Sequence, residues 1–140
     1  GGFMSYTYID HTADFGVHVH GTTPADLFSN AAEALFDQLT DREDLRETES
    51  RQIRITGEDR PDLMVNWLRE LLYLWAGEDL LIKRVDIDTV SESDLTATLF
   101  CEPFDPERHE IKEEIKAVTY HGIRVDQTAE GWEAMIIFDV

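Results

Sequence analysis

The chain has 140 residues, the length of one ordinary domain, and is long enough to bury a hydrophobic core. Thirty acidic residues against 12 basic ones give a formal net charge of −18. This charge disfavours a large nucleic-acid footprint, because nucleic-acid binders neutralise phosphates with Lys and Arg. The expected partners are cations or a basic protein surface, although solubility or a salty cytoplasm would explain the acidity equally well.

The sequence predicts one domain over residues 4–140, because no repeat, low-complexity tract or linker divides it. Gly1-Gly2-Phe3, before Met4, is interpreted as a vector-derived remnant. No apolar run approaches the roughly 20 residues that span a bilayer, so no membrane association is expected. The single cysteine, Cys101, excludes an internal disulfide and fits a reducing, cytoplasmic location.

The first half of the chain predicts a strand followed by two helices with a further strand between them. Alternating Phe15, Val17 and Val19 predict a half-buried strand that ends at Gly21. Thr23, followed by Pro24, is expected to cap the first helix. Its inward stripe is expected to contain Leu27, Ala31, Ala34, Leu35 and Leu39.

A charged loop is expected over 41–50, followed by a strand containing Ile53 and Ile55. Asp59 is expected to cap a second, central helix that ends near Gly77. Its core-facing side chains are expected to be Leu63, Met64, Trp67, Leu68, Leu71, Leu72 and Trp75.

The second half changes to a period of two. Residues 81–90 and 94–101 predict a hairpin, and 122–127 with 132–139 predict another. A short strand is expected over 116–120, after an irregular polar stretch. Together these elements predict an α+β, two-layer sandwich in which a mostly antiparallel sheet packs against two helices.

The two ends of the chain carry a candidate metal site. Apolar residues before Asp139 predict a pinned C-terminal strand, which would fix the Asp139 side chain and the α-carboxylate of Val140. If Asp14 lies nearby, three oxygen donors converge as hard cations require. Asp10, His11 and Asp14 could instead act only in turn formation.

Other reactive side chains have plainer interpretations. His18 and His20 share one face of a strand, but no cysteine or third histidine completes a zinc site at a suitable spacing, so they are interpreted as surface imidazoles. Cys101 lies in an apolar strand and is interpreted as a buried structural thiol. Lys116 by itself suggests a surface ion pair. No nucleotide-binding signature or nucleophile elbow is present.

Several segments together resemble the archease family. They are His11-Thr12-Ala13-Asp14, the helix after Gly21-Thr22-Thr23, Trp67-Leu68-Arg69-Glu70-Leu71-Leu72, Lys116-Ala117-Val118-Thr119-Tyr120-His121 and Phe138-Asp139-Val140. Each segment is short, but their order and spacing are specific, and the resemblance covers residues 6–140.

The resemblance implies a non-catalytic activator of the GTP-dependent RtcB-type RNA ligase, which acts in tRNA splicing and RNA repair. Such an activator promotes guanylylation of the ligase's histidine and multiple turnover. The family's metal site carries over onto Asp14, Asp139 and Val140. The activating lysine carries over onto Lys116, with Asp10 and His11 expected as neighbours of the metal site.

The metal is expected to be divalent, with calcium preferred for the oxygen donors and magnesium or manganese as alternatives. Two other functions compete with the activator role. A metal-dependent phosphoesterase could use Asp10, His11, Asp14 and Asp139. A general chaperone or scaffold would bind many unfolded clients without depending on Asp14.

Overall fold

The computed structural model describes residues 5–10 and 14–140, with side chains described for 5–7 and 14–140. Residues 1–3, interpreted as a remnant, therefore lie outside the described residues. Elements follow one another in the order β1 (Tyr6–Asp10), β2 (Asp14–Gly21), α1 (Pro24–Leu39), a 3-10 turn (Arg42–Asp44), β3 (Glu49–Thr56), α2 (Arg60–Glu78), β4 (Leu80–Val90), β5 (Asp94–Pro103), β6 (Ala117–Thr128) and β7 (Gly131–Asp139).

Both helices begin at the side chains that the sequence predicts. The Thr23 hydroxyl accepts the Asp26 N–H at 3.1 Å, and the Asp59 carboxylate accepts the Asp62 N–H at 2.9 Å. Each cap satisfies an N–H that has no partner within the first turn of its helix.

Helix α2 ends at Glu78, one residue after the predicted Gly77. Its C-cap is not a glycine but Asp79, whose φ of 56° is left-handed. Aspartate is one of the few residues other than glycine that tolerate this conformation.

The strands form two antiparallel sheets, ordered β1-β2-β7-β6 and β3-β5-β4. Both helices contact strands of both sheets, which places the helices at the centre of the core. The α+β class is therefore confirmed, with the strands divided between two sheets. Among the described residues, no helix combines the length and apolar character needed to cross a bilayer.

The core is built around Trp67 of α2, which is fully buried. Its indole N–H donates to the Phe28 carbonyl of α1 at 2.9 Å, so its polar group is satisfied inside the protein. The other large, fully buried side chains are Phe28, Phe36, Phe138, Leu27, Leu35, Leu39, Leu63, Met64, Leu68, Leu71 and Leu81.

The segment expected to form two short strands is the single strand β6. Its pairing with β7 is irregular between Thr119 and Arg124. Gly122, with a φ of 71°, lies inside this irregularity. A glycine adopts this conformation without steric cost, so the strand can bulge and continue.

The irregular stretch before β6 is held by a buried carboxylate. Glu102 is buried, accepts the Arg46 N–H at 2.6 Å and lies 2.9 Å from the His109 ring nitrogen. These contacts hold the segment between β5 and Lys116 in place, although this segment contains no helix or strand.

Candidate functional site

The two aspartates at the chain ends lie opposite each other. Asp14 opens β2, Asp139 closes β7, and the two are direct partners in the antiparallel register. Direct partners project to the same face of a sheet with Cβ atoms about 4.5–5.5 Å apart. The structure therefore brings together two carboxylates that are far apart in the sequence.

Val140, the third residue of the predicted site, directly follows Asp139 in the chain. Val140 is partly buried and packs against the hydrophobic core. This packing fixes the residue that follows Asp139, as the apolar C-terminal pattern predicted. The term "acidic tip" is used below for Asp14, Asp139 and Val140.

Lys116 immediately precedes β6, and its backbone lies beside the acidic tip. Its backbone N–H donates to the Asp139 carbonyl at 2.7 Å, and Ala117 is the register partner of Asp139. The Lys116 side chain is exposed. The beginning of β2, the end of β7 and the residue before β6 thus lie close together at one end of the four-stranded sheet.

Of the two residues expected to neighbour the metal site, the structure describes only the backbone of Asp10. Asp10 ends β1 and is the backbone partner of Phe15, one residue from Asp14. The Asp10 side chain and His11 lie outside the described residues.

Helix α2 holds the β6 segment that follows Lys116. The Arg69 guanidinium donates to the Val118 carbonyl at 3.0 Å and lies 4.5 Å from the centre of the Tyr120 ring. The Tyr120 hydroxyl donates to the Asp62 carboxylate at 2.7 Å. Two of the segments that resemble the archease family are therefore in direct contact.

The Tyr120–Asp62 hydrogen bond changes the pKa of both groups. It lowers the pKa of the Asp62 carboxyl because the donated proton stabilises the carboxylate. It raises the pKa of the Tyr120 hydroxyl for the same reason, since losing that proton would break the bond. Both groups therefore keep their paired forms at neutral pH.

The acidic tip has the donors that a hard cation needs. Like charges placed directly opposite each other on a sheet destabilise it unless something neutralises them. Asp139 is exposed and Asp14 is partly exposed, so an ion can reach both carboxylates from solvent. The oxygen-only donor set fits calcium, magnesium or manganese better than zinc.

His18 and His20 lie on the outer face of β2, as the alternation predicted, and Glu133 of β7 joins them. The His18 Nε2 atom is 3.2 Å from the Glu133 carboxylate. The spacing of cysteines and histidines in the sequence does not reveal this neighbour, because the β2–β7 register brings the glutamate to the pair.

Cys101 is buried, as predicted. Burial raises the pKa of its thiol, which disfavours the reactive thiolate. Its interpretation as a structural thiol therefore agrees with its environment.

Fold and site together define an α+β protein that carries an acidic tip at one end of a four-stranded sheet. The chain matches the archease protein family (MTH1598/TM1083) over residues 6–140. It belongs to that family.

Similar proteins agree with this assignment. The "Protein archease" of Methanosarcina barkeri is 34% identical over 139 residues, which cover 96% of this chain and 95% of the relative. The solution structure of Methanobacterium thermoautotrophicum protein 1598 superimposes with a TM-score of 0.82 at 33% identity, covering 99% of this chain and all of that one.

A more distant structure supports the fold alone. The Thermotoga maritima archease, described as a possible chaperone, has a TM-score of 0.62 at 20% identity, with 94% of each chain covered.

Proposed function

We propose that this protein is a non-catalytic activator of a GTP-dependent RtcB-type RNA ligase, acting in tRNA splicing and RNA repair. It promotes guanylylation of the ligase and multiple turnover. The observation that carries the proposal is that Asp14 of β2 pairs with Asp139 of β7, whose carbonyl accepts the N–H of Lys116 just before β6. These are the residues to which the archease resemblance assigns the metal site and the activating lysine.

Asp14, Asp139 and the Val140 carboxylate would hold one divalent ion, with calcium preferred. The bound ion supplies positive charge that offsets the paired carboxylates. These residues would keep the ion at one end of the sheet, where a partner can approach it. Lys116 adds an exposed cation close to the same end.

The charge of the whole protein supports a protein partner over direct RNA binding. A net charge of −18 repels a phosphate backbone and attracts a basic surface. Nucleotidyl transfer depends mainly on positioning and charge stabilisation. A partner that adjusts the geometry of the ligase's nucleotide site can therefore change its rate without forming a bond to substrate.

The test is the transfer of labelled GMP to the ligase, measured with and without this protein. We expect Asp14→Asn, Asp139→Asn and Lys116→Ala each to lose most of the stimulation. Asp88→Asn, on the other sheet, and Lys112→Ala, whose ammonium pairs with Asp41 at 3.2 Å, are the charge-matched controls. If all three site variants stimulate as well as the controls do, the site assignment is wrong.

The same preparation tests the competing functions. A phosphoesterase would hydrolyse generic phosphate esters with manganese or magnesium in the absence of any ligase, and Asp139→Asn would abolish that turnover. A general chaperone would suppress aggregation of unrelated unfolded proteins equally well in the Asp14→Asn variant. Either result would contradict a specific ligase activator.

A further inference from the structure

Two histidines and a glutamate form a compact cluster on the outer face of the four-stranded sheet. His18 and His20 are two residues apart on β2, so both project to the face opposite the buried Val17 and Val19. Their ring centres are 4.3 Å apart at an angle of 68°. The strand itself therefore brings two imidazoles into contact.

The third group arrives through the register of β2 with β7. Glu133 is the direct partner of His20, and its carboxylate lies 3.2 Å from the His18 ring nitrogen. One ligand atom from each of the three side chains lies within 4.8 Å of the other two. The name "histidine cluster" is used below for His18, His20 and Glu133.

The distances suit a transition-metal ion. Zinc holds nitrogen and carboxylate ligands at about 2.0–2.2 Å, which places tetrahedral ligand atoms about 3.4 Å apart. The His18–Glu133 pair already has this separation. The other ligand atoms lie within 4.8 Å, so side-chain rotation has to shorten their separations by no more than about 1.4 Å.

We propose that the histidine cluster is a second metal site, which binds zinc or a similar first-row transition dication through two imidazole nitrogens and one carboxylate oxygen. Three protein ligands leave one position of a tetrahedral ion open to water or to a donor from another molecule. Imidazole ligands select zinc, nickel or cobalt over calcium and magnesium.

The surroundings support cation binding. Asp126 of β6 is the register partner of Glu133 and adds a negative charge to the same face. Arg124, opposite Met135, brings one positive charge to that face. The net charge of −18 favours cation binding overall.

His20 and Glu133 also line an open cavity of about 600 Å³, together with Trp132 and Asn30. The Asn30 amide donates to the His20 carbonyl at 2.7 Å, which fixes the backbone of that ligand. The open position of the ion is therefore accessible to a small molecule or to a side chain of a partner.

The histidine cluster is separate from the acidic tip. Both lie on the same strand pair, but His18 is four residues from Asp14, which corresponds to about 13 Å along a strand. One ion cannot span that distance. The two sites also differ in chemistry, since the acidic tip offers only oxygen donors.

Zinc binding to the full chain, measured by isothermal titration calorimetry at pH 7.5, tests the proposal. Neutral imidazole binds metal, so this pH favours the cluster. We expect His18→Gln, His20→Gln and Glu133→Gln each to weaken zinc binding more than about tenfold, because even the partners of metal ligands are worth 10–100-fold. Imidazole nitrogen shifts of His18 and His20 should move with zinc in NMR spectra.

Two matched variants serve as controls. His121→Gln removes an exposed histidine outside the cluster, and Asp88→Asn removes an exposed carboxylate on the other sheet. Both should bind zinc within about twofold of the unmodified chain. Unchanged binding in the three cluster variants would overturn the proposal, as would zinc binding that is lost only in Asp139→Asn. Circular dichroism confirms that each variant is folded.

Discussion

The contact between Tyr120 and Asp62 shows how one side chain holds the start of β6 against α2. Tyr120 is 47% exposed, yet its hydroxyl bonds to a carboxylate in the first turn of α2. The ring also lies against Arg69. These contacts hold the strand that begins just after Lys116.

We predict that Tyr120→Phe raises the pKa of Asp62 towards its ordinary value of 3.8, because the stabilising hydrogen bond is lost. The pKa is measured by NMR titration of the Asp62 carboxyl carbon. Tyr73→Phe, which alters another exposed tyrosine, should leave it unchanged. An unchanged Asp62 pKa in Tyr120→Phe would mean that the bond does not form in solution.

The direction of the pH effect follows from the same bond. The pKa of Asp62 is lowered in the folded state, so the bond stabilises the fold above the ordinary aspartate pKa. That contribution is lost as the pH falls through the lowered value. Tyr120→Phe should therefore reduce stability at neutral pH and lose its effect in acid.

At the scale of elements, the helix caps explain why both helices begin where they do. Asp59 accepts the Asp62 N–H, and the Glu58 N–H in turn bonds to the Asp62 carboxylate at 2.8 Å. This reciprocal arrangement orients the first turn of α2, which also carries the partner of Tyr120.

We predict that Asp59→Ala lowers the free energy of unfolding by about 1 kcal/mol, the usual cost of losing an N-cap. The measurement is urea denaturation followed by circular dichroism. Glu58→Ala is the matched control, because only the backbone N–H of Glu58 takes part in the cap. Equal losses in the two variants would show that charge and not capping is responsible.

For the whole molecule, the net charge of −18 makes self-repulsion a global term in stability. Asp14 and Asp139 contribute to this repulsion where β2 begins and β7 ends. A bound ion would therefore stabilise the folded state as well as complete the site. A ligand that binds only the folded state raises the free energy of unfolding by RT ln(1 + [L]/Kd).

We predict that calcium raises the Tm more than sodium chloride does at equal ionic strength. At 100 times its Kd the stabilisation is about 2.7 kcal/mol. Asp139→Asn should lose this calcium increment, whereas Asp88→Asn, with the same change in charge, should retain it. Equal increases in Tm with calcium in Asp139→Asn and Asp88→Asn would show that calcium does not bind at the acidic tip. Differential scanning calorimetry provides the comparison.

Elements that depend only on neighbours along the chain could be predicted from the sequence. Thr23 and Asp59 mark the helix starts, and Ser91-Glu92-Ser93 separates the strands of the β4–β5 hairpin, because caps and turns are satisfied within a few residues. The pinned C-terminal strand was predictable because the residues before Asp139 are apolar. The C-cap of α2 was not predictable, because Asp79 adopts the left-handed conformation that glycine usually adopts.

Tertiary structure alone decided which distant residues meet. The register of β2 with β7 sets Asp14 opposite Asp139, and it brings Glu133 to His18 across 115 residues of sequence. A shift of one residue would turn every side chain of a strand to the other face. The acidic residues could be named as candidates from the sequence, but their pairing, and the glutamate beside the two histidines, exist only because the core fixes that register.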